Sequence, residues 1–350
     1  MTRPSLAQRV FVGVDTHKDV HVAAAIDEHG RRLGYRSVAT TERGCRELHE
    51  WAVSLAPQVR YGVEGTGSYG AGLSRYLRAQ ASSVLEIRGP NRKLRRDRGK
   101  SDTIDAEAAA RAVLAGTSTL VPKAGDDWVE QLRVLRLARR SAVHARTQTI
   151  NQMHAVVVSA PPQLHDVLKP LSRVELIRRS SRFRVGQLGA PATTVRWTLR
   201  LLAQRYQTLT AEINAIDSVI APLLEDRAAN LLELRGIGPD VAGALLVVAD
   251  DNPQRLRSEA SFAALCGVTP LPASSGKVVR HRLNRGGDRR GNTALWRIAM
   301  TRLSCDERTR NYVQRRTSEG MSKREILRCL KRYIAREVFR ALPRPVLDRP

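Results

Sequence analysis

Four carboxylates are spaced so that a simple fold brings them together. Asp15 ends the apolar run Val12-Gly13-Val14, and Glu64 ends a second apolar run that starts at Val59. Asp102 and Asp105 lie three apart at the start of a helix, a separation that puts both on one helix face. Strands adjacent in a parallel pair would bring the first two to the same edge of a sheet, and a helix packed over that edge would add the other two. Four acidic groups crowded together repel one another strongly unless divalent cations sit between them. Oxygen-only ligands suit Mg²⁺ or Mn²⁺. Two such ions can stabilise the attacking and leaving oxygens of a phosphodiester displacement. Taken singly, each residue has a plainer reading: Asp102 and Asp105 favour a helix dipole, and Asp15 and Glu64 are turn residues at strand ends.

A second constellation lies far along the chain. Gly267-Val268-Thr269-Pro270 is followed by Ser274-Ser275-Gly276-Lys277 and then by Arg280, Arg282, Arg285, Arg289 and Arg290. Alone, Ser-Ser-Gly reads as a flexible turn. A serine nucleophile needs activation and charge stabilisation; the arginines could stabilise a pentavalent phosphate, but no histidine is positioned by sequence to act as base, His281 being a weak candidate.

The charge balance points to the partner. With 59 Lys plus Arg against 34 Asp plus Glu, the formal net charge is +25, which implies a polyanion. No run of eighteen apolar residues occurs and Met1 to Arg9 lacks the apolar core of a signal peptide, so nucleic acid is favoured over a membrane, and a cytoplasmic, nucleoid-associated location is expected. Four Phe and four Trp argue against a binder built on aromatic stacking, leaving arginine–phosphate contacts. Cys45, Cys266, Cys305 and Cys329 are too far apart for a Cys-x-x-Cys site and read as reduced thiols. A basic run, with Arg92, Lys93, Arg95, Arg96, Arg98 and Lys100, precedes the Asp102 helix and reads as a clamp that offsets the repulsion between a polyphosphate and the carboxylates.

The elements that must position these groups are legible in the periodicity. Val10 to Ile26 reads as a hairpin with a polar turn at His17-Lys18-Asp19, followed by a strand over 33–38 and a helix capped by Thr41 and running to about Leu55. A strand over 59–64, a helix over 68–80, a strand over 83–87 and the Asp102 helix complete a three-layer α/β domain. Gly65-Thr66-Gly67-Ser68-Tyr69-Gly70 formally satisfies a dinucleotide fingerprint, but Glu64 would oppose a pyrophosphate and three strands precede it. Trp128 to Val158 is helical and arginine-rich. Leu199, Leu202, Tyr206, Leu209, Ile213, Ile216, Ile220 and Leu223 recur in three-four spacing, the seam of a coiled coil whose partner is either the Trp128 helix or another chain. Leu234 to Pro239, with Gly236 and Gly238, looks like a helix-hairpin-helix turn with backbone amides open to a phosphate; a plain Gly-Pro turn between core helices is the other reading. The expected division is 1–125, 126–228 and 229–350.

Taken in order, these motifs resemble the bridge-RNA-guided DEDD transposases of bacterial insertion sequences, a family that includes Piv-type DNA invertases. Val-Gly-Val-Asp15, Gly-Val-Glu64-Gly-Thr-Gly-Ser-Tyr and Lys-Ser-Asp102-Thr-Ile-Asp105-Ala are similar to its RuvC-like domain, and Gly236-Ile-Gly238-Pro and Gly267-Val-Thr-Pro through Ser275-Gly276 to its C-terminal domain. The resemblance implies a ribonuclease H-like first domain, a coiled-coil middle, a mainly helical C-terminal domain and a homo-oligomer, dimer or tetramer, that pairs half-sites. It implies that Asp15, Glu64, Asp102 and Asp105 bind Mg²⁺ and that Ser275, by its position after Gly267-Val-Thr-Pro270, attacks DNA to give a phosphoserine intermediate. It also implies a structured guide RNA that selects donor and target DNA. A Holliday-junction-type nuclease, in which the carboxylates cut through water and Ser275 is only a turn, is the alternative.

Overall fold

The computed structural model describes residues 8–87, 101–118, 120–123, 125, 127–249, 256, 258–274 and 281–343. They fall into two compact units, one running to Asp127 and the other beginning at Trp128.

In the first unit, β1 (Arg9–Thr16), β2 (Val20–Asp27), β3 (Arg32–Ala39), β4 (Gln58–Glu64) and β5 (Ser83–Ile87) form one sheet in the order β3-β2-β1-β4-β5. β1, β2 and β3 pair antiparallel, whereas β4 lies parallel to β1 and β5 parallel to β4. Helices α1 (Glu42–Leu55) and α2 (Ala71–Ala79) cover one face. Thr41 caps α1 as the sequence predicts, its side chain accepting from the Gly44 amide. Helix α3 (Asp102–Leu114), capped by Ser101, covers the other face. The predicted helix over 68–80 starts later, at Ala71, because a turn consumes its first residues: Gly65 adopts φ +64°, and its carbonyl accepts from the Ser68 and Gly70 amides at 2.8 and 3.0 Å. Those two amides are therefore spent within the turn, which counts further against a dinucleotide site.

Strand alternation decides what each face carries. Val10, Val12 and Val14 of β1, with Tyr61 and Val63 of β4, pack toward α1 and α2. Phe11 and Gly13, and on β4 Gly62, meet α3 instead. Gly13 and Gly62 are paired across the two strands, and α3 lies almost flush on them. A Cβ on Gly13 would sit 2.0 Å from the Ala106 carbonyl oxygen and 2.2 Å from the Ala110 amide nitrogen; one on Gly62 would sit 2.5 Å from Val113 Cγ2. Side chains cannot occupy these positions without moving the helix.

The second unit is helical: α4 (Trp128–Val158), α5 (Pro162–Leu168), α6 (Arg173–Ser181), α7 (Pro191–Leu232), α8 (Pro239–Ala249), α9 (Glu259–Leu265), α10 (Arg289–Cys305), α11 (Glu307–Ser318) and α12 (Lys323–Ala341), with a short ribbon of β6 (Leu271–Pro272) and β7 (His281–Arg282). α7 packs along α4. Leu199, Ile213 and Ile220 of the predicted seam are buried, the first of them in a core with Ile150, Met153 and Val157 of α4; Leu202, Tyr206, Leu209, Ile216 and Leu223 are partly buried. Among the described residues no helix is long and apolar enough to cross a membrane.

Replacing Gly13 with Val should destabilise the protein by about 3 kcal/mol, the upper end for overpacking because the clash is with backbone. Gly72→Ala, where a Cβ meets nothing within 4 Å, should be neutral to slightly stabilising by virtue of helix propensity. Chemical denaturation of the two variants checks this; equal stability would mean that α3 does not sit flush on β1.

Candidate metal centre

The alternation that puts Gly13 and Gly62 under α3 continues two residues further along each strand. Asp15 follows Gly13 on β1, and Glu64 follows Gly62 on β4, so both carboxylates lie on the α3 face at the same end of the sheet. The last paired residues, Val14 and Val63, hold the two strand ends in register, and Thr16 Oγ1 donates to the Glu64 carbonyl at 2.8 Å. On α3, Asp102 and Asp105 extend the stripe of Ala106, Ala109, Ala110 and Val113 that packs on the sheet, at helical spacing. The end of the helix that carries Asp102 and Asp105 is thus fixed by its apolar remainder.

Asp15 and Asp105 are buried, at 8% and 4% exposure, and Asp102 is exposed. Burial pushes the Asp15 carboxyl up from its usual range, and the nearby Asp105 and Asp102 add to the shift, whereas His17 opposes it. His17 is the functional candidate that the sequence reading assigned to a turn. Its Nε2 lies 3.2 Å from Asp15 Oδ2 and 3.4 Å from Asp102 Oδ1, and ligand atoms of all three residues fall within 4.8 Å of one another. Adjacent ligands on an octahedral ion with bonds of about 2.1 Å are separated by about 3 Å, so the spacing suits one shared cation. The signal was present: Asp-x-His at a strand end places both side chains on one face. Behind it, His21 of β2 is fully enclosed, and burial, followed by the neighbouring His17, pushes its imidazole down toward the neutral form.

The structure therefore brings together Asp15, Asp102 and His17, with Asp105 close enough to perturb Asp15 and Glu64 placed beside it by register rather than within the tight group. The donors fit a divalent cation: carboxylate oxygens for a hard ion, plus one imidazole nitrogen that favours Mn²⁺ over Mg²⁺.

The remaining predicted residues divide by location. Arg92, Lys93, Arg95, Arg96, Arg98, Lys100, Ser275, Lys277 and Arg280 lie outside the described residues. Arg282 is in β7, Arg285 in the loop after it, and Arg289 and Arg290 in the first turn of α10, all exposed. Gly236 adopts φ +85° against α10, where a Cβ would lie 3.4 Å from the Ile298 carbonyl oxygen; Gly238, just before α8, is exposed with open space around it. The ribbon that flanks Ser275 is anchored at its base. A Cβ on Gly287 would lie 2.2 Å from the Gly267 amide nitrogen, and Asn292 Nδ2 donates to the Cys266 carbonyl at 2.9 Å.

Comparison with known proteins finds similarity to transposases and other proteins of insertion elements. Residues 12–162 match a family model of IS110 DEDD type described as a transposase, and residues 228–314 match one described as a transposase of the IS116/IS110/IS902 family. An uncharacterized 42 kDa protein of insertion element IS900 from Mycobacterium paratuberculosis is 25% identical, the match covering 90% of this chain and 91% of that protein. A 43.6 kDa protein of insertion element IS110 from Streptomyces coelicolor is 23% identical over 95% of this chain and 94% of its own length. A putative transposase, y4pF/y4sB, of Sinorhizobium fredii is 25% identical over 82% of this chain and 70% of its own. The family and the acidic cluster together suggest a divalent metal ion.

If the carboxylates are crowded to hold cations, removing one should stabilise the metal-free protein. Asp15→Asn should raise the melting temperature in chelator by about 2–4 °C, the shift for roughly 1 kcal/mol. It should also abolish the further rise that Mg²⁺ or Mn²⁺ gives the parent. A parent melting temperature insensitive to both ions would remove the basis for the site.

Proposed function

The chain belongs to the IS116/IS110/IS902 transposase family and is a DNA transposase, and on that premise we propose that it cuts and rejoins DNA with a cation-loaded carboxylate site and a serine nucleophile. The observation that supports the first half of this reading is the shared parity of Gly13 with Asp15 and Gly62 with Glu64, which turns both strand carboxylates toward the helix that carries Asp102 and Asp105. Asp15, Glu64, Asp102 and Asp105 would hold Mg²⁺ or Mn²⁺ in a ribonuclease H-like domain. When bound, the ions would neutralise charge on a phosphodiester and on the oxygen that leaves it.

The protein's own groups do the rest. Asp15 is aimed by the last pair of the β1–β4 ladder, and His17 Nε2 lies between Asp15 and Asp102, where it would join them on a shared cation. Ser275 Oγ would attack phosphorus: the Oγ–P bond forms, the bond to one DNA oxygen breaks, and the serine proton ends on the departing hydroxyl. Strand exchange reverses the step with a new hydroxyl. Supporting this role, the chain containing Ser275 joins two paired strands whose base is fixed by the Gly267–Gly287 contact, and Arg282, Arg285, Arg289 and Arg290 follow on the same side in sequence. Gly238, with open space around it, suits close approach of a phosphate. Donor and target selection by a structured RNA, and pairing of chains along α7, where Leu201 and Val219 remain exposed, follow from the family resemblance.

Ser275→Ala should abolish both strand exchange and the covalent protein–DNA adduct trapped by denaturing gel, with the divalent-cation melting shift intact. Full cleavage by that variant, with no adduct in the parent, would instead make the enzyme a hydrolytic nuclease. His17→Ala should weaken Mn²⁺ more than Mg²⁺, by roughly tenfold, the lower end for losing a metal-site contact. Equal loss for both ions in competition titrations followed by manganese EPR would count against a nitrogen ligand.

A further inference from the structure

A second site lies wholly within the helical unit. A cavity of about 390 Å³ between α4, α8 and α10 is lined, among the described residues, by seven arginines and a single carboxylate. That carboxylate, Asp240, sits in the first turn of α8 and holds three guanidiniums: Arg136 Nη1 at 2.9 Å, Arg139 Nη1 at 3.4 Å and Arg297 Nη1 at 2.6 Å. Arg139 is shared with Asp217 of α7 at 3.0 Å, and Arg136 lies against Gly243, where a Cβ would come within 2.9 Å of it. These pairs tie four helices together and fix the walls. They do not balance the charge.

Arg140, Arg289 and Arg290 line the same cavity, are exposed, and pair with no carboxylate among the described residues. The attraction comes from side chains and not from a free helix end, because Asp288 caps α10, its Oδ1 accepting from the Arg290 and Gly291 amides at 2.7 and 3.0 Å. Arg136 and Arg140 are one turn apart on α4, about 6 Å, and Arg289 and Arg297 two turns apart on α10, about 12 Å. A single small anion would meet only part of this array, whereas a chain of phosphates runs along it. Concentrating so many like charges costs self-repulsion that a polyanion relieves.

We propose that this cavity binds the sugar-phosphate backbone of a nucleic-acid strand, with Arg140, Arg289 and Arg290 as the contacting groups and Asp240 and Asp217 holding the frame. The proposal rests on the nucleic-acid reading of the function, and the experiment separates the two. Full-length protein carrying Arg140→Ala, Arg289→Ala and Arg290→Ala together is compared with the parent by fluorescence anisotropy, using a duplex DNA and a structured RNA, over a salt series. A control carries Arg196→Ala, Arg200→Ala and Arg205→Ala, exposed arginines of α7 that remove equal charge outside the cavity. Circular dichroism verifies that both variants keep the parent's helix content and melting.

The cavity variant should bind at least tenfold more weakly, and its log–log salt slope should fall by about 2–3, since each phosphate contact contributes roughly 0.7–0.9. The control should keep the parent's slope. Loss confined to DNA, or confined to RNA, assigns the backbone to that nucleic acid; loss for both makes the site common to them. Equal effects in cavity and control variants overturn the proposal and leave the function standing. A parent that binds neither nucleic acid overturns both.

Discussion

The close seating of α3 on Gly13 and Gly62 is the constraint from which the rest of the first unit follows. With hydrogen in place of side chains at two paired positions, the helix backbone comes down onto the centre of the sheet. Two residues further along each strand the same face carries Asp15 and Glu64, and at the N-terminal end of the same helix stripe lie Asp102 and Asp105. The carboxylates need no dedicated loop to bring them together. Asp15, Asp102 and Asp105 come close, with Glu64 on the same face by register, because strand parity and helix periodicity converge at one end of a three-layer core, which is also why burial raises the Asp15 carboxyl. The stability lost by crowding charge there is supplied by the apolar contacts of Phe11, Ile26, Ala109 and Val113 beneath it.

Much of this was legible in the sequence because it is governed by local rules. Alternation marked the strands, Thr41 marked a helix start, and an apolar strand ending in an acidic residue twice over marked the edge. The Asp102–Asp105 spacing needed no tertiary information. What escaped was governed by contacts distant in sequence. His17 looked like hairpin-turn punctuation because nothing local shows that its imidazole reaches Asp102, 85 positions on. The turn at Gly65 shortened the helix after it because hydrogen bonds from Ser68 and Gly70 fold it back on its own first residue. Gly287 is required by its close approach to Gly267, twenty positions back, which nothing local announces.

The helical unit obeys a different logic. Within it the sequence singled out only the arginines beside the serine, as phosphate contacts, yet the structure sorts the arginines of α4 and α10 into two groups. Some are structural: Arg136, Arg139 and Arg297 converge on Asp240, and Arg302 joins the Arg235 carbonyl at 2.8 Å to Glu337 at 2.7 Å. The others stay exposed along α4 and α10. Asp240 could not be recognised from the sequence, since its partner Arg136 lies 104 positions away. The long α7 seam is met at least in part within the chain, by α4, where Leu199 packs with Ile150, Met153 and Val157.

The edge formed by β1, β4 and α3 is proposed to hold a divalent cation. Its most direct test is a crystal structure grown with Mn²⁺, with data collected on both sides of the manganese absorption edge. The account predicts an anomalous peak within about 2.0–2.3 Å of an Asp15 carboxylate oxygen, flanked by Asp102 or Asp105 and by His17. Well-ordered carboxylates with no anomalous peak between them at millimolar Mn²⁺ would contradict it.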